Sequence, residues 1–165
     1  MNASSSPLPE LPDVGFLADV SAEHRAFLTS FGRFLRPRNG ETFIAEGSPQ
    51  DSLSLVLAGT LHVVSSVDDR PMLLATLGAG ASLGEINLFD PASASATVIA
   101  RSDCLIWSVT RKELDGLVEV DPAAGLSVTK GLLRQLSQRI RQMNDKLATA
   151  EQKSSTFDHW NTRKQ

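Results

Sequence analysis

Short segments in which apolar and polar residues alternate fill the middle of the chain, over residues 36–109. Glycines separate these segments at short intervals. Alternation with a period of two buries one face of a strand, and frequent turns between such strands are typical of an all-β sandwich or barrel. Asp68-Asp69-Arg70-Pro71 predicts a hairpin tip. The predicted strands are residues 42–44, 53–57, 60–64, 72–77, 96–100 and 104–109.

Helical patterns flank this middle region. Ser21 predicts the N-cap of a first helix, which carries an apolar stripe and ends near Gly32. Thr110 is followed three residues later by Glu113, which is the sequence of a capping box and predicts a short second helix.

A longer helix follows, with Asp121 as the predicted N-cap and Pro122 at the first helical position. Along it, residues of one stripe recur at alternating steps of three and four, over about three and a half heptads. This seam consists of Leu126, Thr129, Leu133, Leu136, Ile140, Met143, Leu147 and Ala150. So narrow a seam favours a parallel dimeric coiled coil, and the alternative is one amphipathic helix lying on the β body.

The two ends of the chain are polar. Residues 1–13 are rich in Ser and Pro and predict a flexible lead-in. Residues 151–165 predict either a tail without fixed structure or a short motif anchored by Phe157 and Trp160. We therefore divide the chain into a flexible segment (1–13), a β domain with short flanking helices (14–120), a dimerisation helix (121–150) and a polar tail (151–165).

Composition narrows the class of protein. The 165 residues are 41% hydrophobic and 21% charged, as expected of one globular domain with an appendage. No apolar run approaches the roughly 20 residues of a membrane span, and the N-terminus lacks a secretory signal pattern. The single cysteine, Cys104, excludes an internal disulfide, and its apolar neighbours predict a buried structural thiol. These features predict a cytosolic protein with no membrane partner.

Charge divides the chain unevenly. Residues 1–129 hold 8 basic and 16 acidic side chains, a net of −8, whereas residues 130–165 hold 8 basic and 3 acidic ones, a net of +5. A basic tail on an acidic body indicates nucleic acid, an acidic partner or a membrane surface, and the alternative is a solvated helix face that balances the body.

Catalytic and metal-binding patterns are missing from the sequence. His24, His62 and His159 are far apart and lack metal-ligand spacing, so none is expected to bind a metal. No serine lies in a nucleophile-elbow pattern, and no glycine-rich phosphate loop with Lys and Ser or Thr is present. The sequence therefore predicts no enzyme activity.

Three glycine-bearing segments follow one another with a specific spacing: GETFIAEG at 40–47, LVLAGTLHV at 55–63 and LGAGASLGE at 77–85. In combination they resemble the cyclic-nucleotide-binding domain of catabolite-activator-type bacterial regulators and of kinase regulatory subunits. The resemblance extends over about residues 16–150. It implies a mainly β fold with flanking α, a double-stranded β-helix or jelly-roll-like β-roll, whose long C-terminal helix forms a homodimer seam.

The resemblance also implies a ligand site, the phosphate-binding cassette, whose first half stands here as LGEINL at 83–88. In such a site a turn that opens into a short helix offers backbone N–H groups to an anion, and a glycine permits close approach. Glu85 matches the glutamate that accepts a hydrogen bond from the ribose 2′-hydroxyl. The residues expected to bind a ligand are Gly84, Glu85, Ile86, Asn87, Ser95 and Thr97.

The second half of the cassette departs from the family pattern. Ala94 stands where the family has an arginine that neutralises the cyclic phosphate, and residues 89–96 (FDPASASA) contain no basic residue. Asn87 replaces a small residue, and Asp90 would repel a phosphate. Removing such an arginine from a desolvated site costs about 2–5 kcal/mol, which weakens binding by about 30-fold or more.

Three interpretations of this pocket remain open. It binds no nucleotide and the protein is a dimeric scaffold; it binds a cyclic nucleotide through substitute contacts; or it binds another small molecule. The hydroxyls of Ser95 and Thr97 and the charge of Arg70 or Arg101 are the candidate substitutes.

Together these features predict a stand-alone regulatory sensor or adaptor that binds a small ligand and signals through a homodimer to a protein partner. A cyclic nucleotide is the implied ligand, weakened by Ala94. The alternative is a degenerate dimeric scaffold for protein interaction. A third interpretation is a transcription regulator that binds DNA through its basic tail. The fifteen residues after Ala150 are too few for a helix-turn-helix, so no specific DNA binding is expected.

Overall fold

The computed structural model describes residues 9–67 and 70–161. A 3-10 turn at Gly15–Leu17 precedes four helices: α1 Ala22–Leu28, α2 Glu85–Phe89, α3 Arg111–Val120 and α4 Pro122–Asn161. The strands are β1 Arg33–Leu35, β2 Thr42–Ile44, β3 Pro49–Gln50, β4 Ser52–Ala58, β5 Leu61–Val67, β6 Arg70–Leu77, β7 Ser82–Leu83, β8 Ala92–Ser93, β9 Thr97–Ala100 and β10 Leu105–Thr110.

The strands form two four-stranded antiparallel sheets and one short ribbon. The sheets have the orders β1-β10-β4-β7 and β2-β9-β5-β6, and the ribbon pairs β3 with β8. Val56 and Ile106 of the first sheet meet Leu61 and Val98 of the second in one buried cluster. A core between two sheets joined in this way is the predicted β-roll, so the predicted fold class is confirmed.

All six predicted strands are present, with ends shifted by a few residues. The predicted hairpin tip lies between β5 and β6, but its first two residues, Asp68 and Asp69, are outside the described residues. Sequence analysis missed β1, β3, β7 and β8, each of two or three residues. Segments this short are too brief to show a period of two.

The predicted helix starts agree with the capping contacts. Ser21 Oγ accepts a hydrogen bond from the His24 N–H at 3.2 Å. Thr110 and Glu113 form the reciprocal capping box, in which the Thr110 N–H donates to Glu113 Oε2 at 2.7 Å. These side chains satisfy N–H groups that a helix leaves without an intrahelical partner.

The N-terminal segment packs more closely than its composition predicts. Leu11 is buried, and the Arg25 Nε–H donates to the Leu11 carbonyl oxygen at 3.0 Å. The predicted flexible lead-in is therefore wrong at its end, because an apolar side chain and a side-chain hydrogen bond hold residue 11 against the body. Residues 1–8 lie outside the described residues.

Helix α4 begins at Pro122 as predicted, and the Asp121 Oδ1 accepts the Ala124 N–H at 2.9 Å. The helix continues to Asn161, past the predicted end at Ala150, so the described part of the predicted tail is helical. Contacts divide the chain into two compact units between Gly131 and Leu132. Among the described residues, no helix combines the length and apolar character needed to cross a bilayer.

Two helical glycines provide a matched test of how closely α4 packs against the 3-10 turn at Gly15–Leu17. A Cβ at Gly131 would collide with the Phe16 carbonyl oxygen, whereas a Cβ at Gly116 in α3 would meet no atom within 4 Å. We expect Gly131→Ala to lower the free energy of unfolding by about 1–3 kcal/mol through overpacking. Gly116→Ala should raise it by about 0.5–1 kcal/mol, because alanine is the better helix former. Urea denaturation of both variants checks this, and a stabilised Gly131→Ala protein would contradict the contact.

Candidate functional site

The first half of the cassette is a sharp turn that leads from β7 into α2. Gly84 is the N-cap of α2 and adopts a φ of 78°, in the left-handed region that favours glycine. A Cβ at this position would also collide with the Ser52 carbonyl oxygen on β4. Both the conformation and the close approach of β4 therefore require glycine here.

Glu85, the first residue of α2, is the one charged residue among the buried residues described, with 4% of its surface exposed. The positive end of a helix stabilises a carboxylate at this place. The buried carboxylate lies where the resemblance puts the acceptor for a ribose hydroxyl.

The other residues of α2 point in different directions. Ile86 is 64% exposed and Phe89 is also exposed, whereas Leu88 is buried in the body. The Asn87 Nδ2–H donates to the Ala92 carbonyl oxygen at 2.6 Å. The Asn87 side chain thus links α2 to β8, the strand that follows it.

Backbone hydrogen bonds fix the segment that carries Ala94. The Ala94 N–H donates to the Ser48 carbonyl oxygen, and the Ala94 carbonyl oxygen accepts the Gly47 N–H, both at 2.8 Å. These bonds extend the β3–β8 ribbon by one step. Both backbone groups of Ala94 are used within the protein, and its side chain is a methyl group that carries no charge.

The four candidate substitutes for the arginine differ in burial and in hydrogen bonding. Thr97 Oγ1 accepts the Glu46 N–H at 3.1 Å, and Ser95 is exposed. Arg70 and Arg101 are exposed; the first begins β6 and the second follows β9. Among the described residues, no hydrogen bond or ion pair joins either guanidinium to the cassette.

Sequence analysis missed one cation beside the cassette, Arg111 at the start of α3. Its Nη1–H donates to the Leu88 carbonyl oxygen at 3.2 Å, at the C-terminal end of α2. Its backbone N–H donates to the Asp51 carbonyl oxygen at 2.9 Å. A guanidinium at a helix C-terminus interacts favourably with the helix dipole, so Arg111 holds α2 in place. No sequence pattern pairs Arg111 with α2, because the contact exists only after folding.

An open groove of about 520 Å³ adjoins the ribbon. It is lined by Pro49, Gln50, Asp51, Pro91, Ala92 and Ser93. The charged residue in this lining is an aspartate, so the groove offers an anion no positive charge.

The expectation for metals concerns three histidines. No group of three or more His, Cys, Asp or Glu side chains in residues 9–67 and 70–161 is arranged to hold a metal ion. His24 Nε2 instead lies 3.9 Å from Asp121 Oδ2, beside the N-terminus of α4.

Comparison with known proteins agrees with the fold. The cAMP-activated global transcriptional regulator CRP of Haemophilus influenzae is 35% identical over 106 residues, which are 63% of this chain and 47% of the regulator. Acetyltransferase Pat of Mycolicibacterium smegmatis is 28% identical over 88 residues, 53% of this chain and 26% of that enzyme. The similar region thus occurs in a regulator and in an enzyme. The chain spans about half the length of the curated regulators that it matches.

A solved structure shares the architecture. A cyclic nucleotide-binding domain from Methylobacillus flagellatus KT aligns with a TM-score of 0.73 and 28% identity, over 80% of this chain and 75% of that one. Residues 35–121 match the family described as the cyclic nucleotide-binding domain. The match covers more than half of the chain and includes the turn at Gly84 and the ribbon at Ala94. The chain therefore belongs to the cyclic nucleotide-binding domain family.

Proposed function

We propose that this chain is a regulatory module that binds a small hydroxyl-bearing ligand at its cassette and signals to a partner protein as a homodimer. The observation that carries the proposal is a cassette whose turn and buried glutamate are intact while its arginine position holds Ala94. The intact half keeps the residues that the resemblance assigns to a ribose hydroxyl. The altered half has lost the charge that a cyclic phosphate needs.

The chemistry of the cassette favours weak binding of cyclic nucleotides. Glu85 supplies an acceptor for a diol, and the first turn of α2 supplies backbone donors. Asp90 at the end of α2 adds negative charge, and residues 89–96 contain no cation to offset it. A desolvated phosphate without a cation loses charge-assisted hydrogen bonds, which are about twice as strong as neutral ones.

The dimer is supported by the surface of α4. Five residues of the predicted seam are each between 54% and 61% exposed: Leu126, Leu133, Ile140, Met143 and Leu147. Thr129 and Leu136 are partly exposed, and the Ala150 side chain lies outside the described residues. A line of apolar side chains in water favours a second helix that buries it. The dimer stays a prediction, and the exposed seam of α4 is the surface through which we expect it to form.

Signalling requires that the ligand bind one arrangement of the dimer more tightly than another. We extend the proposal to a partner protein and to a cytosolic location. The single cysteine, Cys104, is buried and can form no internal disulfide, as is usual for a cytosolic protein. A ligand that binds without changing α4 contacts would argue against the coupling.

The second candidate function is a protein-interaction scaffold. It is favoured by hydrogen bonds in which groups of residues 87–97 pair with the protein itself and not with a ligand. Asn87, Ala94 and Thr97 all bond to the protein's own backbone. A cassette closed in this way would hold no ligand.

Calorimetric titration separates these functions. We expect cyclic AMP, cyclic GMP or a cyclic dinucleotide to bind the wild type with a dissociation constant above about 1 μM, and Glu85→Gln to abolish the signal. Binding tighter than about 1 μM would show that the missing arginine is compensated. No binding of these ligands or of the matching nucleosides at millimolar concentration would favour the scaffold.

A further inference from the structure

The second half of the cassette, residues 89–96, offers hydroxyl groups but no positive charge. Ser93 and Ser95 are both exposed, and both backbone groups of Ala94 are already paired within the protein. A serine hydroxyl both accepts and donates hydrogen bonds, so it suits a ligand hydroxyl. A phosphate needs more, because neutral donors without a cation do not compensate for removing its charge from water.

Three carboxylates lie in the segments that border α2. Glu85 is its first residue and Asp90 is its C-cap. Asp51 directly precedes Ser52, whose carbonyl oxygen approaches Gly84 so closely that a Cβ there would collide with it. An anion that enters the cassette therefore meets negative charge, whereas an uncharged ligand does not.

Arg111, the cation beside α2, does not reverse this balance. Its Nη1–H donates to the Leu88 carbonyl oxygen, at the negative end of the helix. Its Nε lies 3.9 Å from Asp115 Oδ2. The charge of Arg111 is thus offset by groups of the protein itself.

Apolar surface accompanies the polar groups of α2. Phe89 is 55% exposed and follows Glu85 by four residues, a spacing that places the two on the same side of a helix. Ile86, three residues before Phe89, is also exposed. An exposed aromatic ring is a stacking surface for a planar base.

We propose that the ligand of the cassette is an uncharged nucleoside. Its 2′-hydroxyl donates to Glu85, and its 3′- and 5′-hydroxyls take the place of a cyclic phosphate beside residues 89–96. A cyclic nucleotide has one free ribose hydroxyl, whereas a nucleoside has three, so the nucleoside exchanges a charge for two hydrogen-bonding groups. This inference rests on the proposed function and names the class of its ligand.

Calorimetric titration of the full wild-type chain tests the ligand class. The probes are adenosine, guanosine, cytidine and uridine, each paired with its own 3′,5′-cyclic monophosphate. We expect at least one nucleoside to bind at least about tenfold more tightly than its cyclic monophosphate. Raising the salt concentration from roughly 0.05 to 0.5 M should narrow this ratio, because salt screens the repulsion that weakens the anion.

Deoxy analogues of the tightest nucleoside locate its contacts. The 2′-deoxy analogue should bind at least about tenfold more weakly, because it lacks a hydrogen bond to a charged acceptor. The 3′- and 5′-deoxy analogues should each bind about two- to tenfold more weakly, as expected for neutral hydrogen bonds. Asp90→Asn should narrow the ratio between nucleoside and cyclic monophosphate. Its matched control, Glu119→Gln at the far end of α3, removes the same charge and should leave the ratio unchanged.

The outcomes distinguish this inference from the proposed function. If every cyclic monophosphate binds as tightly as its nucleoside or more tightly, the nucleoside is wrong while the ligand-binding module stands. Absence of binding by all eight probes at millimolar concentration overturns both. A 2′-deoxy analogue of unchanged affinity, or free ribose that binds as tightly as the best nucleoside, also overturns the nucleoside. The ligand series uses the wild type, and circular dichroism establishes that each variant is folded.

Discussion

Ala94→Arg is expected to tighten the binding of cyclic AMP and cyclic GMP by about 30-fold or more. The substitution places a guanidinium in residues 89–96, the segment that lacks a cation. The backbone of Ala94 keeps its bonds to Gly47 and Ser48, so the new side chain extends from a fixed position. A guanidinium binds phosphate with two parallel hydrogen bonds as well as charge. Calorimetric titration of the variant and the wild type measures the ratio of affinities.

Two controls separate a specific contact from general attraction. Ala94→Gln adds a side chain of similar reach without charge and should give little gain. Ala79→Arg adds the same charge at an exposed position in the turn before β7 and should leave affinity unchanged. If folded Ala94→Arg protein binds no more tightly than the wild type, the loss of one arginine does not explain the cassette, and its closed hydrogen bonds support the scaffold.

The cassette shows where sequence reasoning succeeds. The turn into α2 could be predicted from sequence because Gly84 and Glu85 belong to a contiguous motif, and the left-handed turn needs a glycine whatever surrounds it. The capping residues Ser21 and Thr110 follow the same logic, since each cap bonds within three residues of itself. Interactions of this kind can be predicted because both partners lie close together in the sequence.

Contacts between distant segments could not be predicted. The two-residue strands β3 and β8 have no periodic signal, yet their pairing occupies both backbone groups of Ala94. The bond from Arg111 to the Leu88 carbonyl oxygen joins residues 23 positions apart. Such contacts depend on the folded backbone, and no local sequence pattern connects the segments that they join.

The end of α4 was misplaced for a different reason. The predicted helix was ended at Ala150 because the apolar seam becomes polar there, but the helix continues to Asn161. Glu151, Gln152 and Lys153 are good helix formers, so helical propensity extends about one turn beyond the seam, and the sequence does not explain the helical conformation of residues 154–161. The heptad pattern marks the surface for a partner helix, and it does not mark the limit of the helix.

Leu136→Glu combined with Ile140→Glu is expected to convert the protein from a dimer to a monomer. The two residues occupy neighbouring seam positions, and Ile140 is 59% exposed in the single chain. Two glutamates on each helix would put four carboxylates into one apolar interface. Burying one unpaired charge in such an interface costs several kcal/mol, so four carboxylates strongly oppose association. Sedimentation equilibrium at low micromolar concentration measures the mass directly.

Gln138→Glu combined with Gln142→Glu is the matched control for this loss. It adds the same two charges to the same helix at exposed positions off the seam, so the protein should remain dimeric. A wild type that already sediments as a monomer would refute the dimer, and equal dissociation in both double variants would assign the effect to net charge. Dissociation confined to the seam variant would identify the line from Leu126 to Leu147 as the surface through which two copies meet. Because that line is apolar over successive turns while Lys130, Arg139 and Lys146 lie beside it, a helix with the same pattern covers it without burying those charges.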